Sequence, residues 1–193
     1  MDRSNGYEEI ASIFIPGRGS AHSGIGASTM ADWSRVLPEG AAVLDLGCGT
    51  GVPISQVLMR RGLQVYGVDA SPSMIGAFRA RFPGVPVQCA SVEESDFFGR
   101  TFDAVVAWGL FFLLDPGVQR RLIAKIGPVL NSGGWLLFTA HREFLSWNDA
   151  MTDRASVSLG YEAYREAIEA AGMTIVETRL DEGENHYYIS RKL

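Results

Sequence analysis

The sequence predicts an α/β fold: a doubly wound, mostly parallel sheet with helices on both faces and one reversed strand at the carboxyl end. Three observations carry this. From residue 41 onward, short β-rich runs alternate with helix-length segments, the rhythm of strand, crossover helix and next strand. The runs are continuously apolar rather than strictly alternating, as strands covered on both faces should be. The last two runs, "MTIVETRL" and "HYYISRKL", are separated only by "DEGEN". So short a loop cannot bring a chain back parallel to itself, so these two form an antiparallel hairpin.

Taken in order, residues 1–40 are expected to supply one or two helices as a cap segment, with the Gly/Ser-rich stretch 15–28, "IPGRGSAHSGIGAS", as a flexible connection. Residues 41–193 form the core of what reads as a single domain. Its first strands are "AAVLDL", "LQVYGV", "VPVQC", "FDAVVAW" and "GWLLFTA". A helix starting near Pro53 should stop at Gly62, and Ser71 should cap the helix that follows, with Pro72 at its first position. In residues 116–130, Val118, Leu122, Ile126 and Val129 fall on one helical stripe.

The chain has 193 residues with 17 basic and 22 acidic side chains, a net charge of −5. That balance repels phosphate backbones and anionic lipid surfaces, so neither nucleic acid nor membrane is expected as a partner. The start "MDRSNGYEEI" lacks a secretory pattern, and the longest apolar stretch, "FDAVVAWGLFFLL", is too short to span a bilayer and contains Asp103. A cytoplasmic location follows as an expectation. Cys48 and Cys89 stand far apart with no ligand-spaced partner. They read as two small buried residues, with neither a disulfide nor a metal site.

The first strand runs straight into Gly47, Gly49 and Gly51. In a doubly wound sheet, ligands sit beyond the carboxyl ends of the strands, and glycines there permit positive φ and close approach to the backbone. The following helix turns its free N–H groups toward the same place. Asp69 ends the second strand, where an acidic side chain can accept hydrogen bonds from a ribose diol. The loop reads G-C-G-T-G rather than the dinucleotide pattern G-x-G-x-x-G, and Asp45 precedes it. A buried carboxylate there suits a cation, or holds the loop amides, better than it suits a pyrophosphate.

These residues carry a resemblance. "VLDLGCGTG" resembles the first motif of the class I S-adenosylmethionine-dependent methyltransferases, "VYGVDAS" the acidic second motif, "CASVEES" the adenine-contacting turn, "FDAVVAWGLFFLL" the fourth motif and "LNSGGWLLF" the fifth strand with its turn. The resemblance implies a seven-stranded Rossmann-like sheet and S-adenosylmethionine as cofactor, with S-adenosylhomocysteine as product. It implies that Gly47, Cys48, Gly49 and Gly51 pass under the methionine and ribose, with Asp45 near the amino group. Asp69 would hold the ribose hydroxyls, with Ala70, Ser71 and Met74 alongside the adenine. Ser91, Val92 and Glu93 would edge the adenine from the other side, Ser91-Val92 standing where many relatives have an Asp and a small residue. Trp108 and Gly109 fall where the family brings methyl and substrate together.

Methyl transfer from a sulfonium needs alignment in a dry site, and a base is optional. His141, after the fifth strand, and His22, in the glycine-rich segment, are the candidate bases; each equally suits a surface or packing role. Arg18 is a candidate partner for a cofactor or substrate carboxylate, and the amino-terminal segment is expected to close over the cofactor. Trp108, Phe111, Phe112 and Trp147 stand near the expected acceptor side, either as core or as pocket wall. With only a modest insertion at residues 141–172, the acceptor is expected to be a small molecule. Two other readings stay open: a cofactor-binding regulatory or scaffold protein without turnover, and an NAD-dependent oxidoreductase. Monomer and homodimer are equally compatible with the sequence.

Overall fold

The computed structural model describes residues 3–18 and 24–193. Helices α1 (Ala11–Arg18) and α2 (Ala27–Trp33) lead into β1 (Ala42–Leu46), α3 (Ile54–Arg60), β2 (Gln64–Asp69), α4 (Pro72–Arg81), β3 (Val87–Cys89) and β4 (Phe102–Ala107). There follow α5 (Pro116–Val129), β5 (Leu130–Thr139), β6 (Phe144–Asn148), β7 (Ala155–Leu159), α6 (Tyr161–Ala170), β8 (Met173–Leu180) and β9 (His186–Lys192). Seven strands form one sheet in the order β3-β2-β1-β4-β5-β9-β8. The strands from β3 to β5 pair in parallel, and β9 runs antiparallel to both β5 and β8. The expected seven-stranded sheet with its reversed last strand is therefore present.

Successive side chains on a strand point to opposite faces, and here the two sets enter two cores. Leu44 and Leu46 of β1, Val105 and Ala107 of β4, and Leu136 and Phe138 of β5 pack with Leu122, Ile126 and Ile168 of α5 and α6. Val43, Ala104, Val106 and Leu137 pack on the other face with Met30 and Trp33 of α2 and Ile54 and Leu58 of α3. Both faces are covered, which is why the strands read as unbroken apolar runs. The order reverses between β1 and β4, and that switch point opens a crevice at the strands' carboxyl ends.

The helix ends follow their signals. Ser71 Oγ accepts a hydrogen bond from Met74 N with Pro72 at the first helical position, and Gly62, at φ +77°, receives the chain leaving α3. Three local expectations change. Residues 15–18, expected in a flexible connection, are the last turn of α1 despite Pro16 and Gly17, because Phe14 packs edge-on against Tyr7 at 5.3 Å and the helix rests on α4. The segment after β5 forms a hairpin, β6–β7. Cys89 is exposed at the end of edge strand β3, and Cys48 alone is buried. Among the described residues no helix is long and apolar enough to cross a membrane.

The glycines after β1 divide by role. A Cβ on Gly51 would lie 2.6 Å from Phe82 and 2.8 Å from Phe78, at φ +80°. A Cβ on Gly49, at φ +52°, would meet nothing within 4 Å. Gly51 therefore serves the packing of α4, and Gly49 faces open space. Gly51→Ala is expected to destabilise the fold by about 1–3 kcal/mol through overpacking, and Gly49→Ala by about 1 kcal/mol from its left-handed backbone alone. Urea unfolding of the two variants checks this, and equal losses would contradict the division.

Candidate functional site

A cavity of about 260 Å³ occupies the crevice. The β1 loop contributes Asp45, Gly47, Cys48, Gly49 and Thr50; the end of β2 contributes Asp69 and Ala70, and α4 contributes Met74. Ser91, Val92 and Glu93 close one side, and Trp108, Gly109, Leu110 and Phe112 another. Twelve of the residues expected at the cofactor thus face one space: Asp45, Gly47, Cys48, Gly49, Asp69, Ala70, Met74, Ser91, Val92, Glu93, Trp108 and Gly109.

The loop continues the β1–β2 pairing past the strand, with Gly47 N and Cys48 N both donating to Val68 O. Asp69 then fixes it in place: Oδ2 accepts from Gly49 N and Oδ1 from Ser71 N, each at 2.8 Å. A carboxylate carries about four acceptor sites, so lone pairs remain for a ligand's hydroxyls. Burial pushes the Asp69 carboxyl above its ordinary range, against the pull of the Ser71 and Gly49 amides. Asp45 is 2% exposed. Burial raises its carboxyl to about 7, opposed by the hydrogen bond from Ser55 Oγ and reinforced by Asp69. A buried carboxylate beside a half-buried one, both facing the cavity, is a site poised for a cation. Thr50 Oγ1 and Asn5 Nδ2, on cavity-lining residues, are buried without a partner among the described residues, as polar atoms left for a ligand are.

Other expected residues fall elsewhere. Gly51 is behind the loop against Phe78 and Phe82. Ser71 is buried as the α4 cap. His141 is exposed and outside the cavity wall, its ring edge-on to Trp147 at 5.3 Å. His22 lies outside the described residues, and of Arg18 only the backbone, at the end of α1, is described. The aromatic set splits. Phe111 is core, stacked on Phe138 at 4.2 Å, whereas Trp108 and Phe112 line the cavity and Trp147 backs Phe112 at 5.5 Å.

Several cavity residues carry no local sequence signal. Arg3, Ser4, Asn5, Tyr7 and Phe14 form the outer wall. That segment is pinned by Arg3 to Glu93 at 2.9 Å, Glu9 to Arg154 at 2.5 Å, and Glu8 to Ser73 Oγ at 2.7 Å, with Ser71 Oγ also donating to Glu8. Glu8 thereby places negative charge at the N-terminus of α4. Glu8→Ala is expected to lower the melting temperature by about 2–4 °C and to expose residues 3–9 to proteolysis; unchanged values for both would remove the latch. On the far side, Lys125 Nζ donates to the carbonyls of Val92, Glu93 and Ser95 and holds the 91–95 turn in shape.

Comparison with known proteins agrees with this geometry. Residues 43–134 match the family described as a methyltransferase domain. The chain is 35% identical over 119 residues to an uncharacterized methyltransferase of Mycobacterium tuberculosis, covering 60% of this chain and 46% of that protein. It is 30% identical over 156 residues to a ubiquinone biosynthesis O-methyltransferase of Rhizobium etli, covering 72% and 62%. The chain thus spans about half to three fifths of the length of these relatives. The fold is similar to the CcbJ methyltransferase of Streptomyces caelestis, with a TM-score of 0.79 at 18% identity, over 100% of this chain and 99% of that one. Together with the glycine bend, the acidic end of β2 and the reversed β9, these matches support a class I S-adenosylmethionine-dependent methyltransferase.

Proposed function

We propose that the protein transfers a methyl group from S-adenosylmethionine to a small-molecule acceptor, leaving S-adenosylhomocysteine. The observation that carries this reading is the joining, in one cavity, of an open backbone stretch at Gly49 with the buried carboxylate of Asp45 and the half-buried one of Asp69. The residues fit the cofactor's chemistry. Asp45, held partly protonated by burial, gains a counter-ion from the ammonium group. Asp69 keeps acceptor capacity for the ribose hydroxyls beyond its two amide bonds. Met74 and Val92 supply apolar walls, and Ser91 with Glu93 a polar edge, for the adenine.

When bound, the cofactor supplies an electrophilic methyl group for in-line displacement. The chain's part is to bind, orient and exclude water. Tyr7 and the pinned amino-terminal segment cover the cavity, and Trp108 and Phe112 line the end beyond β4. His141, whose ring packs on Trp147 outside the cavity wall, is not assigned the role of base. A small acceptor suits a cavity bounded this closely, and the relatives' names support the same class of chemistry.

Calorimetry with S-adenosylmethionine, followed by a methyl-transfer screen over metabolite fractions, tests the reading. Saturable binding and a methylated product are expected. Binding with no product from any fraction would favour a regulatory or scaffold role. Binding of NAD in its place would favour hydride transfer.

A further inference from the structure

The loop joining β8 to β9 enters the cavity wall through Asn185. Its conformation is built around one carboxylate. Asp181 Oδ1 accepts from Gly183 N, Asn185 N and Asn185 Nδ2 at 2.9–3.0 Å, and Oδ2 accepts from Asn185 Nδ2 at 3.0 Å and Tyr187 OH at 2.9 Å. An ionised carboxylate only accepts, so the Asn185 amide must turn its NH₂ toward Asp181. Oδ1 then accepts no hydrogen bond from the described residues and is the polar atom left for the cavity. The same carboxylate reaches the cavity by a second route: Tyr187 OH donates to Asp181 and accepts from Trp108 Nε1 at 2.7 Å. Trp108 directly follows β4 and also lines the cavity. One partly buried chain of hydrogen bonds therefore ties Asn185 to the indole that stands beyond β4.

We infer that Asn185 recognises the methyl acceptor, taking a hydrogen bond from its N–H or O–H at Oδ1, and that Asp181 is the positioning residue that fixes this orientation; the inference rests on the methyl-transfer reading above. The surroundings set the substrate class. Trp108, Phe112, Tyr7 and Phe14 give the cavity aromatic walls. Asp181 and Glu182 stand behind Asn185, Glu182 accepting from Gly26 N at 3.1 Å, and they repel an anion. Arg3, on the cavity wall, is paired with Glu93 at 2.9 Å and Glu94 at 3.6 Å. The acceptor is a small apolar or aromatic molecule bearing an amine or hydroxyl, and not one that presents a carboxylate or phosphate at this end.

The experiment uses protein saturated with S-adenosylhomocysteine and four small monosubstituted benzenes as probes: aniline, phenol, anisole and benzoate. Binding is read by ligand-observed NMR titration. The wild type is expected to take aniline and phenol about tenfold more tightly than anisole, the worth of one hydrogen bond, and to reject benzoate. Asn185→Ala and Asn185→Leu are expected to erase the preference while leaving S-adenosylhomocysteine affinity unchanged and lowering the melting temperature by only the few degrees that two lost hydrogen bonds cost, and Asp181→Asn to reduce it. A preference that survives in both Asn185 variants overturns the inference, as does tighter binding of anisole or benzoate, or no binding of any probe. Failure of the wild type to bind S-adenosylhomocysteine overturns the methyl-transfer reading, and this inference with it. Cofactor binding with an unaltered preference overturns this inference alone.

Discussion

Asp45→Asn is expected to stabilise the unliganded protein at pH 8 and, in the same molecule, to weaken cofactor binding by about 100-fold or more. The cause is the position of the carboxylate, 2% exposed, with its folded-state pKa raised by burial from 3.8 to about 7. Between those two values the folded chain keeps a proton that the unfolded chain has released. The contribution of Asp45 is therefore favourable below pH 4 and is lost as pH rises through 7, a change of about 4 kcal/mol at 1.36 kcal/mol per pKa unit. Asparagine has nearly the same shape, keeps an oxygen for the Ser55 hydroxyl and cannot ionise. Thermal unfolding from pH 5 to pH 8 should show a downward slope in the wild type that is flattened in the variant, with the variant more stable at pH 8. Cofactor binding runs the other way. A buried charge-assisted contact is lost, and affinity for S-adenosylhomocysteine should fall by about 100-fold or more. Wild-type affinity should weaken as pH drops below 7, because protonated Asp45 offers no counter-ion. A variant less stable than wild type at pH 8 would contradict this account of the carboxylate.

Asp69→Ala is expected to weaken S-adenosylhomocysteine binding by about 100- to 1,000-fold, since hydrogen bonds to a charged group contribute about 1.5–3 kcal/mol each and two ribose hydroxyls are at stake. The loss has a second source inside the protein. Asp69 holds Gly49 N and Ser71 N, so its removal frees the bend on which the ligand lies. Gly49→Ala leaves those amides bonded and adds only a methyl group in the open space. Isothermal titration of both variants separates holding from room: a large loss in each is expected, and a normal affinity in either would remove that residue from the cradle.

The sheet and most of the cavity were legible because their signals are local. The central parallel strands β1, β4 and β5 are covered on both faces, so their apolar runs survive as strings of neighbours, and the glycine bend sits at the end of one such run and Asp69 at the end of β2. The β6–β7 hairpin left no comparable trace. Its first strand, "FLSWN", is almost wholly outside the core, with Phe144 74% exposed, so backbone pairing rather than burial defines it. The turn of α1 at Pro16 and Gly17 was masked by residues that ordinarily punctuate helices. Arg3 reaches Glu93 across 90 positions, and no periodicity encodes a contact at that range. Asn185 was missed for a different reason. "DEGEN" reads as a hairpin turn, which it is, and only the closing of Asp181 on Asn185 and Tyr187 shows that the turn also carries a polar group into the cavity. His141 shows the reverse error of adjacency: it stands two residues beyond β5, yet it is exposed and its ring packs on Trp147.

Crystals grown with saturating S-adenosylhomocysteine put the central claim to its most direct trial. The nucleoside should lie across Gly49, with both ribose hydroxyls within hydrogen-bond distance of Asp69 and its amino group beside Asp45. Density for water or protein atoms alone over that bend, with the nucleoside bound elsewhere or not at all, would refute it.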